Sequence, residues 1–218
     1  MSTRAEPVSE TVLVERIVDL VLACSGDRAG APSGRHDAGS PVRLLIDGHP
    51  STRPERLADA LVAPLEAAGR PTARVSVGDY LRPRSLRLER GREDPDSLLD
   101  SWIDVGALNR EALTRVVERR EYLPSLRDPD TDRATRSAYV STAPGTVLVL
   151  DGALAIGRGL DVDVAVHLSL KPATIRRRTP PEQTWTIPAY EQYAREIEGL
   201  PDLVVRVDHP DHPALTHA

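Results

Sequence analysis

The strongest constraint on this chain is a series of short apolar runs separated by stretches of helical spacing. Residues 42–46, 72–77, 146–150, 164–170 and 203–207 are rich in Val, Leu and Ile and read as strands. Between them, residues 55–68 place Leu57, Leu61 and Leu65 on one helical face, and residues 105–119 and 187–198 are also helical in pattern. Ahead of the first strand, residues 10–23 carry Val12, Leu13, Ile17, Leu20, Val21 and Leu22 at mostly helical spacing. Strands apolar at nearly every position are buried on both sides. Their alternation with helices therefore predicts an α/β fold: a parallel sheet with helices on both faces. A Gly, Ser, Pro and Asp-rich stretch at 25–40 reads as a flexible linker. The expected division is an N-terminal helix and linker at 1–40 and one α/β domain at 41–218, an ordinary domain size. Residues 79–104 are polar, rich in arginine and without a clean period.

In such a sheet the chemistry gathers where the loops leave the C-terminal strand ends. Three predicted strands end in a polar signature: Asp47-Gly48, Gly78-Asp79 and Asp151-Gly152. Each alone is an ordinary turn; three at one edge point to a site. Composition narrows the function classes. With 28 basic and 33 acidic side chains and a net charge of −5, the chain is not a general binder of nucleic acid or anionic membrane. No apolar run reaches the ~18 residues that span a bilayer, and the N-terminus lacks a signal-peptide pattern, so a cytoplasmic protein is expected. The single cysteine, Cys24, permits no internal disulfide or cysteine-based zinc site and is expected to pack. The six histidines show no zinc-ligand spacing, and His209 and His212 lie in a Pro-rich tail expected to be solvent-exposed. No metal is assigned. Only Lys171 among the 28 basic residues is a lysine, a bias that reads as GC-rich coding. A lysine-dependent mechanism would have to use it.

Several motifs then fall into one order: Ser76-Val77-Gly78-Asp79-Tyr80-Leu81-Arg82-Pro83-Arg84, Gly91-Arg92-Glu93-Asp94-Pro95-Asp96, Asp100-Ser101-Trp102-Ile103-Asp104, and Val147-Leu148-Val149-Leu150-Asp151-Gly152. In this order the chain resembles the bacterial uridine kinase-like branch of the P-loop nucleoside kinases, from about Val42 to the Asp208-His209-Pro210 tail. The resemblance implies a P-loop NTPase-like α/β sandwich, with ATP on one side and a nucleoside or similar hydroxyl substrate on the other.

The departures bear on function. The family's phosphate loop reads Gly-x-x-x-x-Gly-Lys-[Ser/Thr]: glycines expose backbone amides to phosphate, the lysine adds charge, and the hydroxyl holds Mg²⁺. In register with Gly48, this chain has Arg53 for the second glycine, Pro54 for the lysine and Glu55 for the hydroxyl residue. Thr52-Arg53-Pro54-Glu55 reads as a capping box in which the helix start satisfies its own amides. A Glu55 carboxylate ~4 Å from a phosphate charge would cost roughly 4 kcal/mol at an effective dielectric near 20, about a thousandfold in affinity. Arg53 could recover part of that. The family's catalytic carboxylate aligns with Gly78, so Asp79 serves as base only through a one-residue slip.

On the acceptor side the resemblance implies Asp96 at the sugar hydroxyls, Tyr122 and Asp128 along the nucleoside pocket, and Arg82, Arg176 and Arg177 near the substrate. Gly48, Arg53 and Asp151 are the remaining cofactor-side candidates. Arg176, Arg177 and Arg178 are consecutive and cannot all face one ligand on a helix, and Thr179-Pro180-Pro181 should cut that helix short. Lys171 matches no phosphate-loop position and is expected on the surface. Three readings stay open. One is a degenerate kinase fold without cofactor that binds a nucleoside-like or phosphorylated small molecule. Another is an active kinase with an atypical loop, using ATP and Mg²⁺. The third is a nucleotide-independent lyase or isomerase in the old acceptor pocket. Homo-oligomerisation is compatible with each.

Overall fold

The computed structural model describes residues 5–26, 39–209 and 213–216. Most of the expected linker, together with His212, lies outside the described residues. The expected strands are β2 (Val42–Gly48), β3 (Thr72–Ser76), β6 (Val147–Gly152), β7 (Val164–Ser169) and β8 (Leu203–Arg206), each close to its predicted span. They pair in parallel in the order β8-β7-β2-β6-β3. Two three-residue strands, β1 (Ala5–Pro7) and β9 (Ala214–Thr216), extend the sheet antiparallel beyond β8 to seven strands. A separate hairpin joins β4 (Glu121–Tyr122) to β5 (Val140–Ser141).

Side-chain alternation sorts the core onto two faces. Leu44, Ile46, Val147, Val149, Val166 and Leu168 face one side, where α1 (Glu10–Gly26), α2 (Pro54–Ala60) and α3 (Val62–Ala67) cover them. Leu45, Leu148, Leu150 and Ala165 face the other, beneath α5 (Pro95–Ser101), α6 (Val105–Leu108), α7 (Thr114–Arg119) and α9 (Ile187–Glu196). Cys24 is half-buried against the first of these clusters.

Two predicted helices are interrupted. The one expected at 55–68 breaks at Leu61, where Pro64 has no N–H to offer the preceding turn. The one at 105–119 carries a π-turn over Asn109–Leu113. The aperiodic segment 79–104 contains α4 (Arg84–Arg87) and α5, each too short to show a period. The arginine triplet belongs to α8 (Pro172–Arg178), which ends at Thr179 before Pro180 and Pro181. Lys171 is exposed at its N-cap. No described helix is long and apolar enough to cross a membrane.

Candidate functional site

Register brings the strand-end signatures together. Ile46 pairs with Asp151, Asp47 with Gly152, and Ser76 with Asp151, so all three turns leave one sheet edge. The backbones there are closely packed: a Cβ on Gly152 would lie 2.6 Å from Val77 Cβ, and one on Gly48 would lie 2.5 Å from Thr52 Oγ1. Glycine is required at both positions because neighbouring side chains already occupy the space.

The loop after Gly48 is closed on itself. His49 accepts at Nδ1 from the Ser51 amide (3.1 Å), and its carbonyl accepts from the Thr52 amide (2.7 Å) and the Thr52 hydroxyl (2.7 Å). The Arg53 amide donates to Pro50 O at 3.1 Å. Three amides in the stretch that would face phosphate are thus spent inside one tight turn, Pro50–Thr52. The expected capping box does not form. Thr52 sits within that turn with its hydroxyl committed to His49. The N-cap of α2 is Arg53, left-handed at φ 58° and ψ 58° and without a side-chain cap, while Glu55 is exposed in the first turn.

His49 also links this turn to the helices beyond it. Its Nε2 lies 3.4 Å from Thr179 Oγ1 at the end of α8, and its ring packs edge-on against Tyr190 of α9, centroids 4.4 Å apart. Burial, then the Arg178 charge, pulls its pKa down to about 4, so the ring is neutral at pH 7.

The carboxylates of the edge are not free either. Asp151 is ion-paired with Arg74, which also holds Asp59, and Ser76 Oγ lies 3.4 Å away. Asp47 is fully buried and takes the Ala155 amide (2.9 Å), His167 Nδ1 (2.8 Å) and the Tyr193 hydroxyl. Asp79 is half-buried, and desolvation, then Asp151 and Asp128, raises its pKa above the ordinary carboxylate value. Its carbonyl accepts from the Leu126 and Arg127 amides, which fixes the chain around it.

A cavity of about 450 Å³ opens beside these groups. Gly48, Pro54, Glu55, Ser76 and Asp151 form one part of its wall, and Leu81, Leu98, Trp102, Leu154 and Tyr190 the rest. The wall contains no arginine, lysine or histidine. Trp102 Nε1 is buried without a hydrogen-bond partner among the described residues.

Of the residues singled out from the sequence, Gly48 and Asp151 line this cavity, and Arg53 lines another on the far side of the loop. The others stand outside both walls. Asp79 follows the wall residue Gly78. Arg82 is half-buried, its amide donating to Trp102 O at 2.8 Å. Asp96 is exposed in the first turn of α5, whose cap is Asp94. Tyr122 is buried in the core, and Asp128 closes a turn by accepting from the Asp130 and Thr131 amides. Arg176 is paired with Glu191 at 2.5 Å, and Arg177 is exposed. The sequence reading missed Arg74, His49 and His167. For Arg74 and His167 the available signal was a basic or imidazole side chain inside a strand; His49, in the turn after β2, gave none.

The groups present do not fit a magnesium-bound triphosphate. The Ser51, Thr52 and Arg53 amides are spent, Pro54 stands in place of the lysine and Glu55 in place of the hydroxyl residue, and Asp151 is ion-paired with Arg74. Among the described residues no cluster of three or more His, Cys, Asp or Glu could hold a metal ion.

No protein-family profile and no curated protein matches the chain. Solved structures do. A possible uridine kinase from Bacillus stearothermophilus superimposes with a TM-score of 0.65 at 18% identity, covering 89% of this chain and 97% of that one. A candidate fructose transport system kinase from Silicibacter sp. TM1040 gives 0.53 at 19% identity, over 86% of this chain and 89% of that one. The YGR205w protein gives 0.55 at 9% identity, over 97% of this chain and all of that one. At such identities the likeness speaks to architecture, and with the parallel sheet and its loop-bearing edge it gives this chain the fold of the uridine kinase-like P-loop kinases.

Proposed function

We propose that this chain is a uridine kinase-like protein that does not transfer phosphate from ATP and that binds a nucleoside-like small molecule in the 450 Å³ cavity. The observation carrying this reading is the closed turn after Gly48, whose Ser51, Thr52 and Arg53 amides bond to His49 and Pro50. A phosphate entering there would have to break those bonds and approach Glu55 without a lysine to offset the charge.

The cavity favours a neutral ligand with hydroxyls. Apolar and aromatic side chains, Trp102 among them, supply contact area, Asp151 and Glu55 accept hydrogen bonds, and Ser76 offers a hydroxyl. An anionic ligand would meet two carboxylates and no basic group in the wall. The description of one structural neighbour as a possible uridine kinase supports a nucleoside as the first candidate.

Calorimetry and thermal shift test both halves. Mg-ATP is expected to give no binding heat at millimolar concentration. A nucleoside at 100 times its dissociation constant should add about 2.7 kcal/mol of stability, and Trp102→Ala should abolish that gain. Saturable ATP binding, or a full nucleoside panel without any shift, would overturn the reading.

A further inference from the structure

The buried pair Asp47 and His167 takes no part in the loop or in the cavity beside it. Asp47 already has three donors: the Ala155 amide, the Tyr193 hydroxyl and His167 Nδ1 at 2.8 Å. A carboxylate only accepts, so the His167 proton sits on Nδ1, and in the neutral ring Nε2 keeps its lone pair. That nitrogen bonds to no protein atom among the described residues and is not sealed by packing. It borders a separate cavity of about 200 Å³, enclosed by β7, β8 and α9 on the face of the sheet away from α1. We propose that this cavity binds a small neutral aromatic molecule carrying a hydroxyl, which donates to His167 Nε2.

Size sets the scale of the ligand. The volume exceeds the roughly 150 Å³ of a cavity known to take up benzene. It falls short of the ~300 Å³ at which drug-sized sites begin, so one ring fits and a nucleoside does not.

The wall sets its chemistry. The rings of His49, Tyr190 and Tyr193 border the space, and Ile175, Ile197 and Val204 add apolar surface. Such a lining offers edge-to-face contact to a further ring. His49 has spent both ring nitrogens, Nδ1 on the Ser51 amide and Nε2 beside the Thr179 hydroxyl. No arginine or lysine lines the cavity, and its one carboxylate is exposed Glu198, so nothing there recruits an anion. What remains is one directed acceptor, His167 Nε2. Beside it is the Ser169 hydroxyl, two residues on along β7 and therefore on the same face, with no side-chain partner among the described residues. Ala194 and Glu198, both exposed, mark the mouth. The site stands independently of the nucleoside reading: Tyr190 borders both cavities, but neither His167 nor Ser169 lines the larger one.

Titration of the intact protein, ¹⁵N-labelled at histidine, with phenol and with fluorobenzene tests the proposal. Phenol should bind with a dissociation constant of about 1 mM or below. It should move the His167 Nε2 resonance, identified by its absence from His167→Gln. Fluorobenzene, close in shape but without a donor, should bind at least about threefold more weakly, and His167→Gln should lose that preference. Ala194→Phe, a substitution at the exposed mouth, should abolish binding of both, with the melting temperature checking that it folds; it carries the test by itself if His167→Gln does not fold. Phenol without effect at about tenfold the expected constant would overturn the site. So would full affinity in folded Ala194→Phe, or phenol binding that leaves the His167 resonance in place, as it would if held by Trp102 in the larger cavity. Fluorobenzene binding as tightly as phenol would overturn the hydroxyl assignment.

Discussion

His49 shows how much one side chain can decide. It caps the turn through Nδ1, accepts twice at its carbonyl, meets Thr179 through Nε2 and packs on Tyr190. Each contact suits a neutral ring, and burial lowers its pKa from 6.5 to about 4. The folded state therefore resists protonation, so stability from this residue is full above pH 6.5 and is lost as pH falls from there toward 4. In thermal melts across that window, the wild-type midpoint should fall more steeply than that of His49→Gln; parallel curves would mean the imidazole is not held neutral. Tyr193 is a second such residue. Its hydroxyl accepts from the Ile156 amide at 2.7 Å and bonds to buried Asp47, so Tyr193→Phe leaves both with an unmet partner. Urea unfolding should register a loss of about 1–3 kcal/mol. Tyr139→Phe, at an exposed tyrosine, should cost less than ~1 kcal/mol. The sequence exposed the identity of these residues but not their roles, because His49, Thr179 and Tyr190 meet only through tertiary packing.

At the level of elements, the strands were legible and the loop was not. Leu44–Ile46 and Val147–Leu150 are continuous apolar runs bounded by Asp-Gly turns, which suits a buried parallel strand, so length and composition agree. The start of α2 offered two local solutions to the same need for amide partners. The capping box at Thr52 and Glu55 was the one visible in the sequence; capture by His49 one turn earlier was the one adopted. The same competition predicts the outcome of repairing the loop. Pro54→Lys with Glu55→Thr restores two motif residues but leaves Ser51, Thr52 and Arg53 amides bonded within the turn. Calorimetry with Mg-ATP should still show no binding at millimolar concentration; a measurable affinity would mean the turn opens readily. The short α4 and α5 and the β4–β5 hairpin escaped the sequence reading for a simpler reason. Elements of one or two turns, or two residues, are too brief to display a period.

For the whole molecule, α1 and the β1–β9 pair complete the sheet on the side away from β3. Ile17 and Val21 of α1 are fully buried against Val42, Leu44 and Val166, so this helix is part of the core it covers. Deleting residues 1–26 should uncover that face, lower the melting temperature and promote self-association; an unchanged melting temperature and a monomer by light scattering would refute this. The fold class was readable because hydrophobic period and helix alternation act over the full length of the chain. The two cavities flanking the loop after β2 were not, since their walls gather residues far apart in sequence, such as Glu10 with Arg178 or Pro54 with Trp102. The loop between them has a thermodynamic corollary. One short run of backbone, from Pro50 to Arg56, lends side chains to both cavities, so an occupant that displaces it alters the affinity on the other side. Linkage makes that influence reciprocal: whatever factor one ligand imposes on the second, the second imposes on the first. Any ligand that moves the Pro50–Arg56 stretch from one side is therefore felt on the other.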